Sequence, residues 1–247
     1  VLPLCRRPNP MPGILAVVIC LGLSACAADR HAAPTASPFV SVASQPANVG
    51  DARTAALAYR NSGAYDRDVA DIAAQAGRWL AGRAGVARPA LVLDIDETAL
   101  SNWEIIQRDD FGRPIVGSCD PAGEGPCGWA AWDQLGRDPA IRPTQALFRQ
   151  ARAADVAVFF ITGRPESQRA ATERNLAAAG YGGYVRLAMV PDGAHFTSAA
   201  EFKAPVRAAI EGEGYTIVAN VGDRPSDLEG GHAQRAFLLP NPFYRVP

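Results

Sequence analysis

The sequence predicts an α/β fold built on a parallel, doubly wound sheet, and three observations carry that expectation. From Ala90 onward, short apolar runs alternate with segments of helical periodicity. Polar residues gather just after those runs, where open α/β sheets bind their ligands. The chain of 247 residues is long enough for one sizeable α/β domain.

The elements follow in order. Arg6 and Arg7 precede an apolar run, Gly13 to Leu23, which is too short to span a bilayer and suits a secretory signal. It ends in Leu23-Ser24-Ala25-Cys26, which resembles a bacterial lipobox. Residues 1–25 are therefore expected to be a lipoprotein signal peptide, with Cys26 carrying the lipid. The expected location is outside the cytoplasm, periplasmic or anchored at the outer membrane. Residues 26–50, rich in Ala, Pro, Ser and Thr, read as a flexible tether, and residues 51–247 as the folded domain. Val69, Ile72, Ala76 and Leu80 recur at helical spacing, with Gly82 and Gly85 near the end of that helix.

Strands are expected at Ala90–Ile95, Val156–Ile161, Val185–Val190, Thr216–Val221 and Ala236–Leu239. Helices are expected at Thr144–Ala154, Pro165–Ala179 and Pro205–Glu211. The segment 102–143 breaks the alternation and reads as a cap or lid insertion. It holds Trp103, Trp129 and Trp132, which read as a small satellite core, a substrate-facing surface, or both. Cys119 and Cys127 bracket a Gly- and Pro-rich loop, and in an oxidising compartment they are expected to pair. Closing so short a loop is worth roughly 2–3 kcal/mol.

Four strand ends carry candidate chemistry. The first is Leu93-Asp94-Ile95-Asp96-Glu97-Thr98. Carboxylates crowded there repel one another and lose hydration, which folding alone does not explain. A bound cation removes the penalty, and an Asp beside it can be a nucleophile. The second is Thr162-Gly163-Arg164-Pro165, where a proline at the first helical position would put Thr162 and Gly163 beside an anion-binding helix N-terminus.

The third is Lys203, where two signals conflict. Ser198-Ala-Ala-Glu201 reads as a capping box, but a helix started there would place Pro205 in its interior. A cap is worth about 1 kcal/mol and an interior proline costs about 3. The helix is therefore expected from Pro205, with Lys203 at or before its N-terminus. The fourth is Gly222-Asp223-Arg-Pro-Ser-Asp227, whose aspartates either cap a turn or complete a hard-cation site with Asp94 and Asp96.

In this order, Asp-x-Asp-x-Thr, strand-Thr-Gly-Arg, a lone Lys and Gly-Asp-x-x-x-Asp resemble the four motifs of the haloacid dehalogenase (HAD) superfamily. Asp94 to Trp103, Gly214 to Asp223 and Leu239-Pro-Asn-Pro-Phe-Tyr244 further resemble its subfamily IIIB acid phosphatases, bacterial class C lipoproteins and plant acid phosphatases among them. The resemblance implies a HAD-like Rossmannoid fold with N-terminal helices and a small cap. It implies Asp94 as a nucleophile that becomes an aspartyl-phosphate. Asp96 would protonate the leaving group and then activate water. Thr162, Gly163 and Lys203 would hold the phosphoryl group. Mg²⁺ would bind the Asp94 carboxylate, the Asp96 carbonyl, Asp223 and Asp227. Glu97 and Arg224 fall at variable positions with no assigned task.

The implied activity is hydrolysis of small phosphate monoesters, nucleotides included, with an acidic optimum because Asp96 must start protonated. A phosphotransferase would use the same residues, and a non-catalytic storage protein would be marked by loss of Asp94, which is present. The formal net charge of −1 is interleaved in sign, so no basic stripe points to nucleic acid. Three scattered histidines argue against an imidazole zinc site. Trp103, Trp129, Trp132 and Tyr184 are candidates to stack a nucleobase or line a sugar pocket.

Overall fold

The computed structural model describes residues 45–246 apart from 84 and 124. The expected signal peptide, Cys26 and most of the expected tether lie outside the described residues. Two helices come first, α1 (Val49–Asn61) and α2 (Ala64–Ala81). The Asn48 side chain accepts the Asp51 N–H at 3.2 Å and caps α1. Val69, Ala76 and Leu80 lie on the buried side of α2, and Ile72 packs at the edge of the same cluster.

All five expected strands form: β1 (Pro89–Leu93), β2 (Ala157–Pro165), β3 (Arg186–Val190), β4 (Thr216–Gly222) and β5 (Ala236–Leu238). They pair in parallel in the order β3-β2-β1-β4-β5. Leu91 and Leu93 enter the larger apolar cluster with residues of α2 and of α5 (Arg142–Ala153), while Ala90 and Val92 enter a smaller one with Ile210. Both sides of β1 are covered, which is why the strand reads as an unbroken apolar run. Between β1 and β4 the strand order changes direction, and ligands bind beyond the strand ends at such a switch. Asp94 and Asp223 stand there, each one residue past its strand.

The insertion carries α3 (Trp103–Arg108) and α4 (Trp129–Leu135). Its two ends are tied where the Ile141 N–H meets the Ala99 carbonyl at 2.9 Å. Trp129 and Trp132 are buried in the larger apolar cluster and Trp103 packs at its edge, so they join the main core rather than a separate satellite, and Trp129 also lines the cavity at the strand ends. Cys119 and Cys127 are bonded, with their Cα atoms 4.5 Å apart.

Two expected helix starts need correction. The helix expected from Pro205 is α7 (Ala199–Gly212), with Pro205 in its interior. Ser198 Oγ accepts the Ala200 N–H at 3.3 Å, and Glu201 accepts the Thr197 N–H and hydroxyl. These local bonds act together with the packing of Phe202 and Val206 and the burial of Lys203. Their sum outweighs the hydrogen bond that Pro205 cannot donate, which a comparison of cap against proline alone leaves out.

Pro165 opens no helix either. Its ψ of 157° is extended, it pairs with Val190, and a short 3₁₀ turn (Glu166–Gln168) separates it from α6 (Arg169–Ala178). The proline ring restricts φ to a value that strand ends and helix starts share, so pairing with β3 decides. Thr162 and Gly163 therefore lie in the strand and not at a helix N-terminus.

The exposed Pro205 still leaves α7 short of one backbone bond. Pro205→Ala should raise unfolding stability by about 1–3 kcal/mol, read from the urea midpoint; an unchanged or lower midpoint would contradict the helix boundaries given above.

Candidate active site

The β1 end is held by backbone first. The Asp94 N–H donates to the Val221 carbonyl at 3.0 Å, so pairing with β4 runs one residue past the strand. The chain then folds over the Ile95 carbonyl, which accepts the N–H groups of Thr98, Ala99 and Leu100. Glu97 takes a left-handed φ of 50° in that tight turn. The turn brings the Thr98 hydroxyl to 3.4 Å from Asp223 Oδ1.

Lys203 reaches this point from the second turn of α7. Its Nζ lies 2.5 Å from Asp94 Oδ1 and 2.7 Å from Asp227 Oδ1, and all three residues are buried. The anions that accompany the lysine are thus two carboxylates of the chain itself. Asp227 sits on α8 (Pro225–Leu228), and its second oxygen accepts the Arg224 N–H at 2.9 Å. It therefore both caps a turn and joins the cluster. Gly222 lets it do so, since a Cβ there would meet the Asp227 Cβ at 2.5 Å. The buried Arg207 donates to the carbonyls of Asp227, Glu229 and Gly231, which ties the α8 loop down.

Carboxylate oxygens of Asp94, Asp223 and Asp227 all lie within 4.8 Å of one another. An all-oxygen set with three buried carboxylates fits a hard cation such as Mg²⁺. The Asp96 carboxylate stands apart from this group. It accepts from Arg164 Nη2 at 2.6 Å and from Asn102 Nδ2 at 2.9 Å. Arg164 also pairs with Asp138 at 3.3 Å and Asp133 at 3.4 Å, both contributed by the insertion.

Asp94, Asp96, Gly163, Lys203, Asp223 and Asp227 line one cavity of about 320 Å³. Thr162 is not part of that lining; it is fully buried and its hydroxyl accepts the Arg164 N–H at 3.2 Å.

Several residues here escaped the sequence reading. Glu97, given no task above, is buried and accepts from the Asn102 N–H at 2.6 Å and the Tyr244 hydroxyl at 2.9 Å. Arg224, also set aside, donates to the Tyr244 carbonyl at 2.7 Å. Asn241 donates to Asp223 Oδ2 at 2.6 Å. The segment Leu239 to Tyr244 thus crosses the strand ends and orients two acidic residues. A signal existed for Arg164, a cation directly after the strand-end Thr-Gly pair. None existed for Asp133 and Asp138, which lie in an insertion without a motif.

Comparison with known proteins gives the family and the fold. The family model described as HAD superfamily, subfamily IIIB (Acid phosphatase), matches residues 22–247. Acid phosphatase 1 of Solanum lycopersicum is 31% identical over 160 residues, 64% of this chain and 60% of that protein. Vegetative storage protein 1 of Arabidopsis thaliana is 28% identical over 157 residues, 63% of this chain and 55% of that protein. The match therefore spans less than two thirds of these curated relatives. The class C acid phosphatase structure from Bacillus anthracis superposes with a TM-score of 0.59 over 78% of this chain and 85% of that one, at 19% identity. That likeness shows the fold.

The charges are unevenly shared. Burial, with the charges of Asp227 and Asp96, raises the Asp94 carboxyl to about 7 in spite of Lys203. Burial, with the charges of Asp94, Asp227 and Glu97, pushes Asp223 well above the carboxylate range. Burial and then the Asp96 charge raise Glu97 to about 8. Burial also raises Asp133 to about 7. Burial acts on Asp96 in the same direction, but the Arg164 charge and the hydrogen bonds from Arg164 and Asn102 outweigh it and hold Asp96 low.

Groups raised on folding bind more protons in the native state than in the unfolded chain, so stability falls as pH climbs from about 4 to 8. The low Asp96 matters only below that window. In excess chelator the domain should melt at a higher temperature at pH 5 than at pH 8. Equal or reversed melting temperatures would contradict the charge distribution.

Proposed function

The chain belongs to subfamily IIIB of the HAD superfamily, the acid phosphatase subfamily, and from that premise we propose that it hydrolyses phosphate monoesters with Mg²⁺ through an aspartyl-phosphate on Asp94. The observation that carries the reading is the buried Asp94 carboxylate at a cavity wall, beside Lys203 and grouped with Asp223 and Asp227. A buried surplus of negative charge at a strand end has no folding benefit, and a divalent cation offsets it.

Asp94 attacks phosphorus in line and releases the alcohol. Lys203 balances the phosphoryl oxygens, and the Gly163 backbone lies at the same cavity wall. Thr162 contributes behind it, through the turn its hydroxyl forms with the Arg164 N–H. Asp94, Asp223 and Asp227, with the Asp96 carbonyl, would hold Mg²⁺. Its positive charge lets an anionic nucleophile meet an anionic substrate. Asp96 gives a proton to the leaving oxygen and then takes one from the attacking water. Arg164 and Asn102 orient its carboxylate for both steps. Their bonds also favour the ionised form, so the first step gains from mild acid.

We extend the proposal to an exported, lipid-anchored protein. The Leu23-Ser-Ala-Cys26 sequence and the Cys119–Cys127 bond, which suits an oxidising compartment, support it.

Asp94→Asn should lower kcat by roughly three orders of magnitude or more with unchanged circular dichroism, and excess chelator should abolish phosphate release until Mg²⁺ is restored. Activity above a few per cent of wild type in the variant would move the nucleophile elsewhere. With alkyl phosphates the rate should fall from pH 5 towards pH 9, and a flat or rising profile would remove Asp96 as the acid.

A further inference from the structure

Beyond the carboxylates, the cavity wall holds polar atoms that this chemistry leaves unused. Trp129 Nε1, Arg164 Nη1 and Gln168 Oε1 have no hydrogen-bond partner among the described residues, Asp133 Oδ1 has a 3.4 Å ion pair with Arg164 Nη2 but no hydrogen bond, and all four residues line the cavity. Their exposures are only 2, 3, 4 and 8%. Buried donors and acceptors are nearly always satisfied, so three orphans beside a loosely paired carboxylate oxygen on one wall point to a ligand that satisfies them.

Their placement is built rather than scattered. Trp129 and Asp133 stand one turn apart on α4. Arg164 is the last residue but one of β2, and Gln168 closes the 3₁₀ turn that follows. The Gln168 amide nitrogen donates to the Ala130 carbonyl at 3.4 Å, which leaves its oxygen as the open acceptor. The wall therefore presents two N–H donors and two oxygen acceptors. Hydroxyl groups both donate and accept, and adjacent hydroxyls match such a mixed set. An aryl or alkyl group would leave every one of these atoms dry. The Trp129 ring is already engaged, with the Arg113 guanidinium 4.7 Å over it and Tyr244 packed edge-on at 5.0 Å.

We propose that Trp129, Asp133 and Gln168 form the subsite for the alcohol part of the ester, and that it selects polyhydroxylated alcohols. The class comprises sugar and polyol phosphates, with the ribose of a nucleotide as a second source of the same chemistry. The inference rests on the phosphomonoesterase reading above.

The test compares ribose 5-phosphate, adenosine 5′-monophosphate, butyl phosphate and p-nitrophenyl phosphate, with Mg²⁺, on wild type and on Trp129→Phe, Asp133→Asn and Gln168→Leu. Wild type should prefer ribose 5-phosphate to butyl phosphate by about tenfold or more in kcat/KM. Trp129→Phe and Gln168→Leu should each lose about tenfold on ribose 5-phosphate, chiefly in KM, and about fivefold less than that on p-nitrophenyl phosphate. Equal sensitivity with the nucleotide marks its ribose as an occupant, and sensitivity of ribose 5-phosphate alone restricts the subsite to free sugar phosphates. No preference over butyl phosphate, or equal losses on every ester in both folded variants, would overturn the subsite. Absence of p-nitrophenyl phosphate hydrolysis by wild type would instead overturn the phosphomonoesterase reading itself.

Discussion

One buried ammonium holds the centre of this molecule together. Lys203 comes from α7 on one side of the sheet and meets Asp94 from β1 and Asp227 from the loop after β4. Without it, three carboxylates would crowd a dry strand end with no counter-charge. With it, the cluster still carries surplus negative charge. The proposed Mg²⁺ would offset that imbalance and so admit an anionic substrate. The same contact ties α7 to the end of β1, so a shift of α7 would release Asp94 from its counter-charge.

A second charge knot joins the insertion to the strand ends. Arg164 gathers Asp96 from the β1 turn and Asp133 and Asp138 from the insertion. Asp138 is itself fixed by the Trp132 indole N–H at 2.7 Å and by Asn175. The tryptophan core of the insertion thus reaches Asp96 through a continuous chain of side chains. The last residues close the opposite rim, where Asn241 holds Asp223 and Tyr244 holds Glu97. Phe243 anchors this segment between Tyr65 and Trp103, with ring centroids 5.1 and 5.0 Å away. The N-terminal helices, the insertion and the final segment are in this way coupled to one site.

The strands were legible as apolar runs, β1 and β4 most clearly because both their faces are buried, while their order in the sheet was set by the tertiary structure. Asp94, Asp223 and Asp227 stood out because charges just past a strand are out of place in a core, whereas Lys203 alone carried little signal and entered through its place in the order of the motifs. Local rules failed at two prolines. At Pro205 the interior penalty is real, but it is outweighed by packing and by an ion pair more than a hundred residues away in sequence. At Pro165 the preferred φ serves two structures, and a neighbouring strand chooses between them.

The sequence by itself determined where the strands run and which charged residues fall just past them, because strand periodicity and misplaced charge are local signals. Tertiary structure alone decided how those charges are shared. Asp96 went to Arg164 rather than to the group formed by Asp94, Asp223 and Asp227, Glu97 was drawn inward to Asn102 and Tyr244, and Asp133 came to face the cavity from a motif-free insertion. Pairings of this kind depend on distances between elements remote along the chain, and no local pattern encodes them.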